Sequence, residues 1–187
     1  MTMTKESLDL FVAPVYGRTQ RTDNTYRTVA QRCRQKLNSL CVEYHAVENG
    51  PQLLREIRND IDDTLRRYHG YCIKERDGMA AHYHEQAADA ACDFEHLIPA
   101  ARIRDLLLAQ TISIEQALNA PTVRLSRSKH QALKEAGWAS RTPDMWRPFR
   151  RYSAVFAAEF QTYDGTVIDP ETWTLEKHYE YFEHLTI

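Results

Sequence analysis

The chain has 187 residues, long enough to bury a real core, and its 43% hydrophobic and 27% charged content excludes a wholly disordered polypeptide. A net charge of −2 excludes the strongly basic balance that marks many nucleic-acid-binding chains. Cys33, Cys41, Cys72 and Cys92 form no CxxC pair, which excludes a zinc knuckle and a disulfide framework, and no apolar run approaches the roughly 18 residues of a membrane span.

In chain order, the stretch containing Pro14 and Gly17 reads as an arm or loop without a secretory leader, so a cytoplasmic protein is expected. From Thr25, the apolar positions Tyr26, Val29, Cys33, Leu37, Leu40 and Tyr44 recur at steps of three and four, the stripe of a helix. Gly50 ends it, and Pro51 suits the first turn of a second helix carrying Leu53, Leu54, Ile57, Ile61, Leu65 and Tyr68. Two helices joined by so short a turn predict an antiparallel hairpin. Tyr71 to Gly78 reads as a short strand. A helix is expected at His82-Tyr83-His84, where two imidazoles would diverge; a strand there would instead put both on one face, with Glu85 or Cys92 as a third zinc donor.

Cys92 to Ile98 alternates and predicts a strand running into Pro99. Arg102 to Gln110 and Ser113 to Asn119 predict short helices, the second with Ser113 as cap and Glu115 or Gln116 near the capping-box position. "TVRLS" predicts a strand, and "SRSKHQALKEAGW" a helix capped by Ser126 or Ser128 and closed by Gly137. A further helix is expected from "TPDMWRPFRRYSAVFAAEF", then a turn and strand at "DGTVID" and a last helix from Pro170 to Phe182. The expected class is α+β, mostly helical. An arm and helical hairpin would occupy residues 1–78, and a small strand–strand–helix core with C-terminal helices residues 79–187.

Charge is uneven along this chain. Between Pro121 and Ser153, Arg124, Arg127, Lys129, Lys134, Arg141, Arg147, Arg150 and Arg151 face only Glu135 and Asp144, and the tail that follows is acidic. That pattern fits either a polyanion-binding face or two surfaces that attract each other.

The stretch "CDFEHLIP" sets an acid and an imidazole before an aliphatic-Pro step; Asn119, the strand "TVRLS" and a helix carrying His130 follow. This order resembles the HNH nuclease family, whose core is two strands and a helix around one divalent metal, over about residues 91–152. The resemblance implies a metal-dependent endonuclease that hydrolyses DNA, double-stranded DNA as partner, and a phage or mobile-element setting. It implies His96 as general base, Asn119 orienting it, and Glu95 and His130 holding Mg, Mn, Ni or Zn. Arg124, Arg127, Lys129, Arg147 and Arg150 are the expected phosphate contacts. Such chemistry needs an activated water and a cation beside the phosphate, and an imidazole needs a partner on its far nitrogen to fix its tautomer.

The sequence departs from the family in using Glu95, in placing two helices between His96 and Asn119, and in presenting Leu133 and Lys134 where a second ligand would follow His130. Two other readings therefore stand beside the nuclease. One is a non-enzymatic helical interaction protein of the phage-inhibitor kind, docking or dimerising through its helices and acidic tail; it places Glu95 and His130 far apart. The other keeps the scaffold without catalysis and binds DNA or protein.

Overall fold

A computed structural model describes residues 25–46, 48, 50–70, 81–86, 92–162 and 165–182. Helix α1 spans Thr25–Ala46 and α2 spans Pro51–Tyr68. Ala30, Cys33, Leu37 and Leu40 on α1, and Ile57, Ile61, Leu65 and Tyr68 on α2, are buried at steps of three and four residues. Each helix thus has one apolar stripe, and burial of the two stripes against each other makes the predicted hairpin. Pro51 occupies the first turn of α2, where its missing N–H costs nothing.

The rest of the chain builds a sheet and its cover. Strand β1 is Tyr83–Glu85 and β2 is Cys92–His96; helices α3 (Ala100–Leu108) and α4 (Ile114–Leu118) follow. Then come β3 (Thr122–Ser126), α5 (Arg127–Glu135), α6 (Arg150–Ser153), β4 (Phe160–Thr162), β5 (Val167–Ile168) and α7 (Leu175–Tyr181). The sheet order is β2-β3-β1-β4-β5, with β1 and β3 parallel and the other neighbours antiparallel. The class is α+β and mostly helical, as the sequence predicts. Within it, β2, β3 and α5 form the expected strand–strand–helix unit, with α3 and α4 as the insert between its strands.

Register fixes which side chains share a face, because directly paired residues project to the same side. Glu95 pairs Val123, Asp93 pairs Leu125, and Tyr83 pairs both Val123 and Thr162, so these lie on one face with Phe160. Phe149 closes over that face, its ring centroid 5.0 Å from Tyr83 and 5.1 Å from Phe160. Phe94, His96, Thr122 and Arg124 lie on the other. The helical hairpin is tied to the insert by Arg104–Asp62 at 2.6 Å, Arg58–Asp105 at 2.7 Å and an Arg34–Glu115 pair.

Three local expectations are corrected. His82-Tyr83-His84 is not helical: Tyr83–Glu85 is a strand, with Tyr83 and Glu85 buried and His84 half-buried between them. The long helix expected after Thr142 shrinks to Arg150–Ser153. Asp144 explains this, since its Oδ1 accepts from the N–H groups of Trp146 and Arg147, a local turn that competes with helix, and Pro148 supplies no donor. The last helix begins at Leu175 rather than Pro170, where the Thr174 side chain accepts from Lys177 N–H. The strand expected at Tyr71–Gly78 and the boundary at residue 78 lie outside the described residues.

One buried side chain locks this arrangement. Arg151 has no solvent exposure and uses all five of its N–H groups. Nε donates to Trp138 O, Nη1 to His96 O and Leu97 O, and Nη2 to Glu95 Oε1 and Ala139 O. We predict that Arg151→Met destabilises the fold by roughly 3–5 kcal/mol, because it leaves Glu95 Oε1 and four carbonyls without their donor. Urea denaturation measures this, and adding Glu95→Gln should recover part of the loss. A change too small to resolve in the single variant would refute the assignment.

Candidate functional site

The face of β2 that carries Asp93 and Glu95 is where α5 crosses the sheet. The start of α5 is fixed from β1: buried Glu85 accepts from Ser126 N–H at 2.9 Å and pairs with Lys129 one turn on. Burial raises the Glu85 pKa, but the Lys129 and Ser126 hydrogen bonds outweigh it and hold the carboxyl below its usual range. Ser126 is the cap residue by position, without a cap bond from its own side chain.

With its start held, α5 points His130 between the two acids of β2. His130 Nδ1 lies 2.7 Å from Asp93 Oδ2 and Nε2 lies 3.2 Å from Glu95 Oε2. The hydrogen bond from His130 pulls Asp93 below the usual carboxylate range, with Arg127 Nε 3.6 Å from its other oxygen. A neutral imidazole has one N–H to donate. It satisfies one carboxylate and turns a lone pair toward the other, so the remaining contact asks for a second proton or a cation. Two donors each roughly 2.0–2.2 Å from one cation stand on the order of 3 Å apart, and Asp93 on Nδ1 makes the carboxylate–histidine brace common at metal sites. The donor set therefore fits an open, two-ligand site. It does not make a closed structural one: among the described residues no group of three or more His, Cys, Asp and Glu is disposed to hold a metal ion. Among the described residues, the zinc alternative at His82 and His84 is likewise left without a third donor.

His96 and Asn119 sit elsewhere. His96 is the last residue of β2 and projects to the opposite face from Glu95, where its Nε2 lies 2.9 Å from Nδ1 of His69. The expected Asn119–His96 bond is not formed. Asn119, fully buried at the end of α4, instead meets His82 Nε2 with Oδ1 at 2.7 Å and His178 Nε2 with its carbonyl at 2.8 Å. From His178 the network continues to the Tyr83 hydroxyl at 2.7 Å, which Trp173 also reaches at 2.9 Å. It anchors α7 on the sheet.

The expected phosphate contacts are dispersed. Arg127 is the most exposed, with 70% of its side chain accessible beside Asp93. Arg124 is on the other face of the sheet, and Lys129 is engaged by Glu85. Arg147 pairs with Asp144 at 3.4 Å, and Arg150 with Glu171 of the acidic tail at 2.6 Å. Asp93 and His69 were not expected in this region, and Arg151, counted among the basic residues of a polyanion-binding face, is instead buried against Glu95. Asp93 carried a signal, since it is two residues from Glu95 on a strand and therefore shares its face. His69 comes from a distant element and carried none.

Comparison with protein-family models, with curated proteins and with solved structures finds no match to this chain. No helix among the described residues is long and apolar enough to cross a membrane.

The buried imidazoles set an acid limit. Burial drags His69 and His178 down to about 4 and His82 well below its usual value, with the neighbouring His178 adding to the shift of His82. These folded-state values lie below the roughly 6.5 of an unfolded histidine, so between pH 6.5 and 4 the unfolded chain binds more protons. Stability therefore falls as pH drops through that window, by about 1.4 kcal/mol per pH unit for each such histidine at most. Urea midpoints at pH 7, 6 and 5 should decrease steeply below 6.5; midpoints that stay level to pH 5 would contradict the buried neutral network.

Proposed function

We propose that this protein is a metal-dependent endonuclease of the HNH kind, hydrolysing phosphodiester bonds in DNA. The observation that carries the reading is the meeting of Glu95 and His130 at 3.2 Å across a strand–strand–helix unit. An interaction protein has no need to assemble those two groups, and that reading had them far apart. Glu95 and His130 would hold the cation, Asp93 would keep His130 oriented, and Arg127 would contact a phosphate. When bound, the cation would supply positive charge beside the scissile phosphate and make the attacking water more acidic. His96 would accept the proton of that water. Adjacent strand residues project to opposite faces, so a phosphate reaches both Glu95 and His96 only across the edge of β2, an edge strand of the described sheet.

One observation favours a second reading, a scaffold that binds DNA without cutting it. Arg151 already neutralises one oxygen of Glu95 at 2.6 Å. A cation would have to share that carboxylate with a buried guanidinium.

Supercoiled plasmid incubated with Mg, Mn or Ni should be nicked, and EDTA should stop it. Glu95→Gln and His130→Ala should abolish nicking, and Asp93→Asn should weaken the response to metal roughly 10–100-fold. Plasmid retarded in a gel but never nicked would establish the binding scaffold instead. Neither retardation nor nicking would end both readings.

A further inference from the structure

The described structure leaves His96 without the Asn119 partner expected for it, yet its ring is not loose. His69, fully buried just beyond the end of α2, faces it. The direction of each hydrogen bond follows from the end of the chain of contacts. His69 Nε2 lies 3.0 Å from the Leu118 carbonyl oxygen, which can only accept. The proton of His69 is therefore on Nε2. A neutral imidazole has only one, so His69 Nδ1 is a lone pair. The ring nitrogen 2.9 Å from that lone pair, His96 Nε2, must then carry the proton of His96. His96 Nδ1 remains as a lone pair, and no hydrogen bond to it is made among the described residues.

We propose that His69 is the positioning residue of His96: it holds His96 as the Nε2–H tautomer and presents Nδ1 as the acceptor for a proton. The inference deepens the nuclease reading and rests on it for the role of His96, though the tautomer can be measured without any cleavage. It also gives the N-terminal hairpin a part in the site. The hairpin delivers a ring that the strand–strand–helix unit does not contain. Leu118, which fixes the far end of the relay, belongs to the insert between the two strands. Hairpin and insert thus act together on one side chain.

Three proteins test this: wild type, His69→Gln and His69→Leu. A glutamine can keep the relay, its amide N–H donating to the Leu118 carbonyl while its oxygen accepts from His96 Nε2–H. A leucine can do neither. Long-range 1H–15N NMR of the imidazole rings distinguishes a protonated from an unprotonated ring nitrogen. His96 should appear as the Nε2–H tautomer in wild type and His69→Gln, and as a mixture in His69→Leu. In plasmid nicking, His69→Gln should keep most of the wild-type rate and His69→Leu should lose on the order of 10²-fold.

A wild-type His96 that carries its proton on Nδ1 overturns the proposal, and that spectrum requires no variant to fold. A tautomer unchanged in His69→Leu overturns it as well. So does a tautomer that moves in His69→Leu while nicking stays at the wild-type rate. If wild type nicks nothing, the nuclease reading fails alone, and the spectra still decide whether His69 fixes the His96 ring.

Discussion

The Arg151 guanidinium is the contact on which the site depends. It reaches the Glu95 carboxylate and the carbonyls of His96 and Leu97 on one side, and those of Trp138 and Ala139, just past α5, on the other. The end of β2 is thereby fastened to the segment that leaves α5. Glu85 does the same at the beginning of that helix, from β1. With both ends of α5 anchored to the sheet, His130 has little freedom but to lie between Asp93 and Glu95. A planar, permanently charged fork suits this task, because five donors in fixed directions can serve one carboxylate and four carbonyls at once. A lysine would leave most of those carbonyls without a donor.

Away from this lock, the core is held by imidazoles to an unusual degree. His82, Asn119, His178, Tyr83 and Trp173 are linked through the interior, and His69 with His96 forms a second, shorter chain. Each ring is satisfied by a neutral partner, so none needs a charge to hold its place. Such networks specify one arrangement because every donor must find its own acceptor. The amide nitrogen of Asn119 is the exception, buried with no partner among the described residues, while the oxygen end of the same side chain carries the bond to His82.

The sequence made some of this legible, and the limit is physical. Helices α1 and α2 were readable because each presents an apolar stripe that a single periodicity describes. Strand β3 and helix α5 were readable because β-branched residues and a glycine bracket them, and Gly137 indeed adopts the left-handed conformation at φ +75°. Strand β1 was not readable. Its burial alternates, but its three residues are Tyr83, His84 and Glu85, and a buried glutamate reads as surface until Lys129 is known to lie against it. The false helix after Thr142 failed for a related reason, since Asp144 takes backbone donors that a propensity argument assigns to helix. At the site, Glu95 and His130 were paired only through the family resemblance, and the structure brings them within 3.2 Å. Asn119 was paired with the wrong histidine, because nothing in the order of residues tells which of several buried rings lies nearest.

The histidines divide by the charge of what faces them, and that division separates two kinds of chemistry. His130 alone among the described site histidines lies between two carboxylates, one held low by it and one shared with Arg151. Both of its ring nitrogens face carboxylate oxygens. His96 has the opposite surroundings: burial comes first, and His69, Arg66 and Arg151 all push its pKa well below the usual value. A ring in that setting stays neutral and keeps a lone pair. The strand places these two environments on either side of its edge, a pair of carboxylates around one ring and a setting that keeps the other ring neutral. In the proposed reaction the first would hold the cation and the second would enter with its lone pair free.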